Sequence, residues 1–445
     1  MTADLGVCLG RSTRFPASGW SVDSRTLVPG DVFFALRGPA HDGHHYVSDA
    51  FRAGAAAAVV DHAMEAPGPL FVVGDTLDAL HQAASSARCV WGGAVVAVTG
   101  SAGKTSTKEA IAALLEAELP VGRSAGNLNN HVGVPLSILR LPDACRVAVI
   151  EMGMNHAGEI RALAAIARPN LGVVTNVGSA HIENFGSVDG IALAKRELIE
   201  ALSREGVAVL NADDPRVAAF AAVHPGWSLT FGFGDGAAVR ARDIEYTAAG
   251  ARFIVDGVQF EIPQTGAHAV RNVLAGIAVA AVFGIPASRL SGPARAIEAP
   301  AMRGTRIDAA GVTVFNDCYN ANPEAVRAMI DVLAATPARR RAAVLGEMLE
   351  LGPLAEALHR GVGSYVAERG IDVLIGIRGA ARHMVDEALR AGMSGAAYFF
   401  DDPETAGEFA RTWLAPGDAV LFKGSRGVRV EKALDRVLAD QEESV

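Results

Sequence analysis

The chain has 445 residues, of which 50% are hydrophobic and 20% charged, and its formal net charge is −9. This length exceeds that of one ordinary domain, and the acidic balance argues against nucleic acid as the main partner. The four cysteines lack metal-ligand spacing, which favours a reducing compartment. No apolar run of about 18 residues predicts a membrane span, and no basic segment before an apolar run predicts a secretory signal. We therefore expect a cytoplasmic protein.

Alternating strand and helix patterns divide the chain into three α/β domains. We place a small N-terminal domain at residues 1–88, a central domain with a mostly parallel sheet at 89–304, and a Rossmann-like domain at 305–445. The high alanine and glycine content shows no internal period, so a repeat architecture is not indicated.

Two polar loops stand out in the first domain, whose apolar runs at 31–36 and 56–60 predict strands. Asp23, Ser24 and Arg25 form either a capped turn or a contact for an anionic or hydroxyl-rich ligand. The second loop contains a cluster of histidines, His41, His44 and His45. Because that loop contains glycine and no cysteine supports the cluster, turn and ligand contacts are favoured over a metal site.

A strand, a glycine loop and a helix follow one another at the start of the central domain. The apolar run at 95–98 predicts a buried strand, Gly100 and Gly103 predict a tight loop, and a helical pattern ends before Pro120. Glycines let backbone N–H groups approach phosphate oxygens, and a helix N-terminus adds positive potential. These features predict a phosphate-binding loop of a shorter variant than the general motif. The alternative is an ordinary strand-to-helix turn that carries a lysine.

Two side chains of this loop carry the predicted chemistry. Lys104 would reach the terminal phosphates of ATP, and Thr105 would offer its hydroxyl to magnesium. The residues predicted to bind the phosphates are Gly100, Ser101, Ala102, Gly103, Lys104, Thr105 and Ser106.

Further polar side chains follow the glycine-loop helix and the next strands. Asn127, Asn129 and Asn130 either form turns or bind a polar substrate beside the phosphates. Glu151 and His181 come just after predicted strands. Ligands of an open parallel sheet bind beyond the carboxyl ends of its strands. An acid, an imidazole and a hydroxyl at such ends therefore predict a magnesium or phosphate site.

A lysine occupies an unusual position in the helix predicted at 191–204. The residues one turn away from Lys195 include Ile191 and Leu198, which place the lysine on the apolar face. Lys195 either extends its amine past that face to solvent or is directed into a site.

The hydrophobic period of the sequence changes near the end of the central domain. From residue 227 to 263 the polarity alternates, with turns at Gly250 and Gly257, and this predicts an antiparallel flap appended to the parallel sheet. The alanine-rich helix that follows is predicted to end near Gly284. Asn272 within it caps, packs or reads an adenine edge.

The third domain is predicted to be doubly wound, because strands alternate with helices. The predicted strands are 312–315, 343–345, 373–377, 397–400 and 419–422. Polar residues again follow the strand ends at 316–323, 346–348 and 423–426. No Gly-x-Gly-x-x-Gly follows the first strand, so a dinucleotide cofactor is not expected.

These motifs together resemble the Mur ligases, the ATP-dependent amide-forming family of peptidoglycan synthesis, over nearly the whole chain. The loop at 99–105 resembles the short P-loop of the family. The segments 126–130, 317–323 and 423–426 resemble the branch that adds D-alanyl-D-alanine.

Two other features indicate which branch of the family the chain resembles. Residues 23–25 with 42–44 are similar to a uridine-nucleotide domain, and the Asp-Asn-Pro-Arg of diaminopimelate-adding enzymes is absent. Glu347 stands where aspartate is commoner in the family, and we expect no change of function from it.

The resemblance implies an amide ligase that works through an acyl phosphate. ATP would phosphorylate the carboxylate of UDP-N-acetylmuramoyl-tripeptide, and the amine of D-Ala-D-Ala would attack the product, in the cytoplasmic stage of peptidoglycan synthesis. Magnesium and Lys104 would relieve repulsion of ~4 kcal/mol for each like-charge pair at about 4 Å and an effective dielectric of about 20. We expect a monomer of three domains that bind the uridine nucleotide, ATP and the incoming dipeptide in chain order.

The resemblance also implies roles for individual residues. Thr105, Glu151 and His181 would be magnesium ligands, and Lys195 would carry a carbamate beside them. Adenosine and phosphate contacts would come from Asn272, Arg303 and Asp317. Substrate contacts would come from Asp23, Ser24, Arg25, Asn127, Asn129, Asn130, Asn320, Asn322, Lys423, Ser425 and Arg426.

Two rival functions remain to be separated. A folylpolyglutamate synthase would be a related ligase, and the uridine-type domain argues against it. A P-loop ATPase or GTPase that acts as a switch is disfavoured because no guanine-reading Asn-Lys-x-Asp is evident. Nucleotide turnover without either co-substrate would favour the switch.

Overall fold

The computed structural model describes residues 3–9, 15–247 and 249–439. The outer ends of the predicted three-domain division, residues 1 and 445, lie outside the described residues. The prediction of α/β domains built on mostly parallel sheets is confirmed. Within the described residues, no helix is both long and apolar enough to cross a membrane.

The first domain is a four-stranded parallel sheet with helices beside it. Its strands, in sheet order, are Gly19–Ser21, Asp31–Phe34, Ala57–Val60 and Leu70–Val72. A short antiparallel pair joins Ala3–Asp4 to Pro16–Ala17. The helices are Leu5–Cys8, the 3-10 turn Gly43–Tyr46, Val47–Arg52 and Thr76–Trp91. The last helix crosses residue 88, so the predicted boundary falls inside one rigid element.

The central domain contains a seven-stranded sheet in which every neighbouring pair is parallel. In sheet order its strands are Val239–Arg240, Trp227–Gly232, Val207–Asn211, Leu171–Val174, Ala94–Thr99, Val147–Glu151 and Val121–Arg123. Its helices are Lys104–Glu116, Gly133–Leu139, Glu159–Ala167, Ile182–Phe185, Val188–Glu200, Pro215–Ala218, Ala267–Val282 and Ser291–Arg295, with 3-10 turns at Ala219–Val223 and Ala287–Arg289.

The P-loop strand lies in the middle of this sheet and is covered on both faces. Val95 and Ala97 pack into one apolar layer, and Val96 and Val98 pack into the other. The second layer includes the helix that follows the P-loop and the Ala267–Val282 helix. Burial on both faces explains the continuous apolar run of this strand.

The antiparallel flap is shorter than predicted. It is a separate three-stranded sheet of Arg242–Thr247, Gly250–Val255 and Val258–Ile262. The strands at 227–232 and 239–240 instead extend the main sheet in parallel. Trp227–Gly232 alternates apolar and polar residues in sequence, but its exposure falls from its first residue to its last. Alternation of residue types therefore did not indicate antiparallel pairing here.

The helix predicted at 191–204 begins and ends a few residues earlier in the structure. The observed helix is Val188–Glu200, and the Ser187 hydroxyl caps it by accepting from the Gly190 amide at 3.1 Å. Lys195 lies in the middle of the observed helix, two turns after its first residue. Its predicted position on the apolar face is confirmed by its burial.

The third domain has a six-stranded sheet that is parallel except at one edge. In sheet order the strands are Thr305–Ala309, Val312–Asp317, Ala419–Lys423, Arg341–Gly346, Val373–Ile377 and Ala396–Phe400. The first of these pairs antiparallel with the second and was not predicted. The helices are Pro323–Ala335, Ala355–Glu368, Ala381–Arg390, Pro403–Trp413 and Glu431–Leu438, with 3-10 turns at Gly352–Leu354 and Arg426–Val428.

Candidate active site

A cavity of about 740 Å³ lies between the carboxyl edge of the central sheet and the third domain. This volume suits a ligand of nucleotide size. Most of the predicted site residues line it, namely Ser101, Ala102, Gly103, Lys104, Thr105, Ser106, Asn127, Asn129, Glu151, His181, Lys195, Asn272, Arg303, Asp317, Asn320, Asn322 and Lys423. The strand ends of two sheets therefore converge on one space.

The P-loop needs glycine at both predicted positions. Gly100 has φ +155°, and a Cβ there would lie 1.8 Å from the Thr175 hydroxyl oxygen. Gly103 has φ +77°, and a Cβ there would lie 2.9 Å from the Asn272 side-chain oxygen. Asn176 also fixes the loop, because its side chain accepts from the Ala102 amide at 2.9 Å. The loop is thus held in one shape by its neighbours.

Lys104 folds back along this loop. Its ammonium donates to the Gly100 carbonyl at 2.9 Å, and no carboxylate among the described residues forms an ion pair with it. Burial lowers the pKa of Lys104, and Arg303 lowers it further, whereas Glu151 raises it. A cation whose only hydrogen bond is to a carbonyl is free to turn towards an anionic ligand.

Glu151 is a buried acidic group at the P-loop side of the site. It is 1% exposed, and its two carboxylate oxygens accept from the Thr105 hydroxyl and the Asn129 side-chain amide, both at 2.7 Å. No cation in the described part of the chain forms an ion pair with it. A buried carboxylate without a positive partner is costly, so this position suits a bound cation.

His181 lies where the central and third domains meet. Its backbone has φ +63°, and its Nδ1 contacts the carboxylate of Glu350. That contact lowers the pKa of Glu350. Close by, the Ser179 amide and hydroxyl both donate to Glu324 at 3.0 Å. Two carboxylates of the third domain therefore contact the segment that follows one central strand.

Lys195 is 2% exposed and lines the cavity. No other described residue forms a hydrogen bond or ion pair with its amine. Burial lowers the pKa of Lys195 well below its usual range, and the neighbouring Lys104 lowers it further. Burial therefore favours the uncharged form of this amine more than it would for an exposed lysine.

The third-domain side of the cavity is internally paired. Lys423 is 3% exposed and donates to an Asp317 carboxylate oxygen at 2.6 Å and to the Asn320 carbonyl at 2.9 Å. Arg303 stacks over the Tyr319 ring, with its guanidinium carbon 3.9 Å from the ring centroid. These pairs fix the side chains that face the P-loop.

Two asparagines connect the P-loop to its surroundings. Asn322 caps the Pro323–Ala335 helix by accepting from the Ala325 amide at 2.9 Å, and its side-chain nitrogen lies 3.5 Å from the Ser101 carbonyl oxygen. Asn272 accepts from the Thr107 hydroxyl at 2.9 Å. The Asn272 amide nitrogen remains available at the cavity.

Several predicted site residues do not line this cavity. In the first domain Arg25 forms a two-pronged pair with Asp23, at 2.9 and 2.7 Å, beside Ser24. Asn130 accepts from the Val132 and Gly133 amides and so forms a turn. The remaining residues outside the lining are Gly100, Ser425 and Arg426.

Ser425 and Arg426 have structural partners instead. Ser425 is 3% exposed, and its hydroxyl accepts from the Leu349 amide at 2.9 Å. Arg426 is exposed and forms an ion pair with Glu431 at 2.6 Å. Neither side chain faces the P-loop in this arrangement of the domains.

The histidine loop of the first domain forms a turn around one buried ring. His44 is 4% exposed, its Nδ1 lies 2.6 Å from an Asp42 carboxylate oxygen, and its Nε2 accepts from the Asp61 amide at 3.1 Å. His41 and His45 are exposed. Both ring nitrogens of His44 are thus used within the domain.

Sequence reasoning missed another strand end of the central sheet. Asp213 and Asp214 follow the Val207–Asn211 strand and line the cavity. Asp213 pairs with Arg271 at 2.9 Å, and Asp214 accepts from the Val177 amide at 2.7 Å. The same rule that singled out Glu151 and His181, polar residues directly after a strand, would have found both aspartates.

Family models match most of the chain. The model described as "Mur ligase family, catalytic domain" matches residues 17–132, "Mur ligase middle domain" matches 98–280, and "Mur ligase, glutamate ligase domain" matches 302–426.

Individual proteins match over nearly the whole length. A protein of Synechocystis sp. named UDP-N-acetylmuramoyl-tripeptide--D-alanyl-D-alanine ligase is 38% identical over 95% of this chain and 92% of its own. A crystal structure of MurF from Acinetobacter baumannii is 29% identical with a TM-score of 0.89 and covers 98% of both chains. MurF from Thermotoga maritima in complex with ADP is 29% identical with a TM-score of 0.85, over 96% of this chain and 98% of that one.

Proposed function

The chain belongs to the Mur ligase family, and from that premise we propose that it joins D-alanyl-D-alanine to UDP-N-acetylmuramoyl-tripeptide, with cleavage of ATP to ADP and phosphate. The similarity to proteins of that name, over more than nine tenths of the chain, supports this assignment. The observation that carries it structurally is the shared cavity. A P-loop, a buried carboxylate without a cation and polar groups of the third domain all line it.

The proposed reaction has two bond exchanges. A carboxylate oxygen of the tripeptide attacks the γ-phosphorus of ATP, and ADP leaves. The amine of the dipeptide then attacks the acyl carbon, phosphate leaves, and the amine loses a proton. The acyl phosphate would react with water if water reached it, so closure of the third domain over the P-loop protects it.

The chain supplies charge stabilisation at the P-loop. The Ser101 and Ala102 amides are already bonded to Asn176, so the amides at the start of the Lys104–Glu116 helix would face the phosphates. Lys104 would turn from the Gly100 carbonyl to the transferring phosphoryl group. Since that group carries most of the developing negative charge, a fixed cation there lowers the barrier.

Magnesium fits the donor set of this site. Glu151 supplies a buried carboxylate, Thr105 a hydroxyl and His181 an imidazole, and all three line the cavity. The hydroxyl and the carboxylate are already 2.7 Å apart. When bound, the metal would neutralise charge between the nucleotide phosphates and the tripeptide carboxylate.

We further propose that Lys195 is carbamylated. Its uncharged amine would attack the carbon of carbon dioxide, form an N–C bond and release a proton, which leaves an anionic carbamate. The burial of Lys195 and the lack of an acidic partner among the described residues support this step. The carbamate would add oxygen ligands beside Glu151.

The roles of the three domains follow from where their residues lie. We propose that the first domain binds the uridine nucleotide near Asp23, Ser24 and Arg25, and that the third domain binds the dipeptide near Asn320. None of the described residues of the first domain lines the large cavity. The tripeptide must therefore extend from that domain to the P-loop.

Phosphate release from ATP tests the proposed function. The protein is supplied with UDP-N-acetylmuramoyl-tripeptide, carrying diaminopimelate or lysine in separate assays, with and without D-Ala-D-Ala. We expect sustained release only with both substrates, together with a product whose mass equals that of the tripeptide nucleotide plus the dipeptide minus water. Rapid release with ATP alone would overturn the ligase assignment and favour a nucleotide switch.

A further inference from the structure

A buried lysine on the P-loop helix has no role in the reaction described above. Lys108 lies one turn beyond Thr105 and is 0% exposed. Its ammonium donates to the Ser124 carbonyl at 2.7 Å and to the Gly126 carbonyl at 2.8 Å. A Glu109 carboxylate oxygen lies 3.0 Å away. The three N–H donors of Lys108 thus have three acceptors.

These acceptors restrict the backbone that carries them. A buried ammonium is tolerated only when its hydrogen bonds are satisfied. Two of the three acceptors of Lys108 are backbone carbonyls two residues apart. The loop at 124–126 therefore cannot move relative to the P-loop helix without breaking a charge-assisted hydrogen bond.

The same loop continues to the buried carboxylate of the site. Asn129 donates through its side chain to Glu151 at 2.7 Å, and its carbonyl accepts from the Gly153 amide at 2.8 Å. The Ser124 hydroxyl accepts from the Glu151 amide at 3.2 Å. Helix, loop and strand end form a closed ring, since Thr105 also donates to Glu151.

The far end of the loop reaches the helix that leaves the first domain. His81, in the Thr76–Trp91 helix, has its Nε2 2.6 Å from the His131 carbonyl oxygen. Asn127 and Asn129 line the cavity between these two anchors. The segment 124–131 thus connects the Thr76–Trp91 helix to the P-loop helix.

We propose that Lys108 is a positioning residue that fixes the 124–131 loop against the P-loop helix and so sets the place of the tripeptide carboxylate relative to the phosphates. This inference rests on the proposed function for the identity of the substrate. Lys108 does not line the cavity, and it acts through the backbone of the loop that carries Asn127 and Asn129.

The variant Lys108→Met tests this role, because it keeps the length of the side chain and removes its donors. Displacement of the loop should raise the KM for the tripeptide nucleotide by about 10-fold or more. The affinity for magnesium-ADP, measured by calorimetry, should change by less than about twofold, since the helix is held by its own apolar face. Hydrogen exchange of the 124–131 peptide should rise by about 10-fold, with the P-loop strand unchanged.

A matched control separates positioning from loss of stability. Lys432→Met removes a lysine whose ion pair with Glu404 lies on the outer face of the third domain. It should lower the melting temperature without changing the KM for the tripeptide nucleotide. An unchanged KM in Lys108→Met, or an equal loss of magnesium-ADP affinity and of protection throughout the central sheet, would overturn the proposal.

One readout depends neither on turnover nor on the variant. If Lys108→Met does not fold, exchange in the ligand-free wild-type protein decides the matter. The 124–131 segment should exchange more slowly than the exposed hairpin turn at Asp256 and Gly257, and equal rates would overturn the proposal. Failure of the ligase assay in the wild type would refute the proposed function, whereas the exchange and calorimetry results would still report on Lys108.

Discussion

Two buried lysines face the same cavity from opposite walls, and their surroundings differ. Lys195, on the central wall, is 2% exposed and has no hydrogen-bonding or ionic partner among the described residues. Lys423, on the third-domain wall, is 3% exposed and bonds to Asp317 and to the Asn320 carbonyl. The two lysines are buried to nearly the same extent, so the presence or absence of a hydrogen-bonding and ionic partner distinguishes their amines.

The difference separates a reactive wall from a structural one. On the central wall, within the described residues, neither Lys104 nor Lys195 forms an ion pair with a carboxylate, and Glu151 forms none with a cation. On the third-domain wall, Lys423 and Asp317 form an ion pair with each other. Because an anionic ligand is attracted by unpaired cations, we expect substitutions on the central wall to reduce catalysis most strongly.

The largest effect is expected from Lys104→Ala, which removes the cation of the P-loop. Loss of one charged donor aimed at a transferring group should lower kcat by about 10³-fold. The melting temperature should change little, because the ammonium of Lys104 makes only one hydrogen bond, to a carbonyl. Steady-state phosphate release and a thermal melt measure both quantities.

The control for Lys104 is Arg252→Ala, in the exposed flap. Its side chain pairs with Glu261 on the surface of the antiparallel sheet, so turnover should be unaffected. A near-normal kcat in Lys104→Ala would mean that the nucleotide phosphates bind elsewhere.

The second largest effect is expected from replacing Lys195, whose amine has no partner among the described residues. Lys195→Ala should lower kcat by about 10²-fold or more, because the carbamate oxygens are lost. Added acetate should restore part of the rate by placing a free carboxylate in the vacated space. The wild type should lose activity in buffer depleted of carbon dioxide and regain it when bicarbonate is supplied.

Mass spectrometry of the native protein gives an independent measure of this modification. An unmodified Lys195 in a fully active sample, with no response to carbon dioxide depletion, would remove the carbamate from the mechanism. If acetate does not restore activity to Lys195→Ala, that result would also argue against the carbamate.

A smaller effect is expected on the paired wall. Asp317→Ala should raise the KM for ATP by about 10-fold, since it removes a proposed nucleotide contact and leaves the Lys423 ammonium buried without its partner. Asp317→Asn preserves the shape and should give a smaller rise. Initial rates over a range of ATP concentrations measure both, and an unchanged KM in either variant would mean that the third domain does not contact the nucleotide.

The smallest effect concerns stability and pH on the outer face of the third domain. Hydrogen bonds from Lys432 and Arg436 lower the pKa of Glu404 to about 2. The folded pKa lies below the unfolded value of 4.5, so this contribution is present above that value and is lost as the pH falls towards about 2. Glu404→Gln should reduce the melting temperature at neutral pH and lessen its decline between about pH 5 and 3, as measured by thermal melts. If the melting temperature of Glu404→Gln falls with pH as steeply as that of the wild type, other carboxylates cause the acid sensitivity.

Local chemistry made the P-loop predictable. Its strand, its glycines and its helix are adjacent in the chain, and each is set by short-range rules of period and backbone freedom. The sites after the strands at 147–151 and 171–174 were predicted for a related reason, because parallel strands present their carboxyl ends at one edge.

Alternating residue types limited the prediction of the flap. The strand at 227–232 alternates apolar and polar residues, yet it pairs in parallel with a strand on each side, and its exposure falls along its length instead of alternating. The antiparallel edge strand at 305–309 was missed altogether. Polarity along a strand reports which face is covered and not which strand lies beside it.

By itself the sequence determined the α/β class, the phosphate loop and the apolar surroundings of Lys195, because each depends on residues within one or two turns or strands. Only the tertiary structure decided that Lys423 is paired with Asp317, that Glu350 of the third domain contacts His181, and that Lys108 is satisfied by loop carbonyls. Such contacts join residues separated by many positions in the chain, and they form only when whole elements dock. A local pattern fixes which side chains are available, whereas docking fixes which of them remain without a partner and are therefore free to act on a ligand.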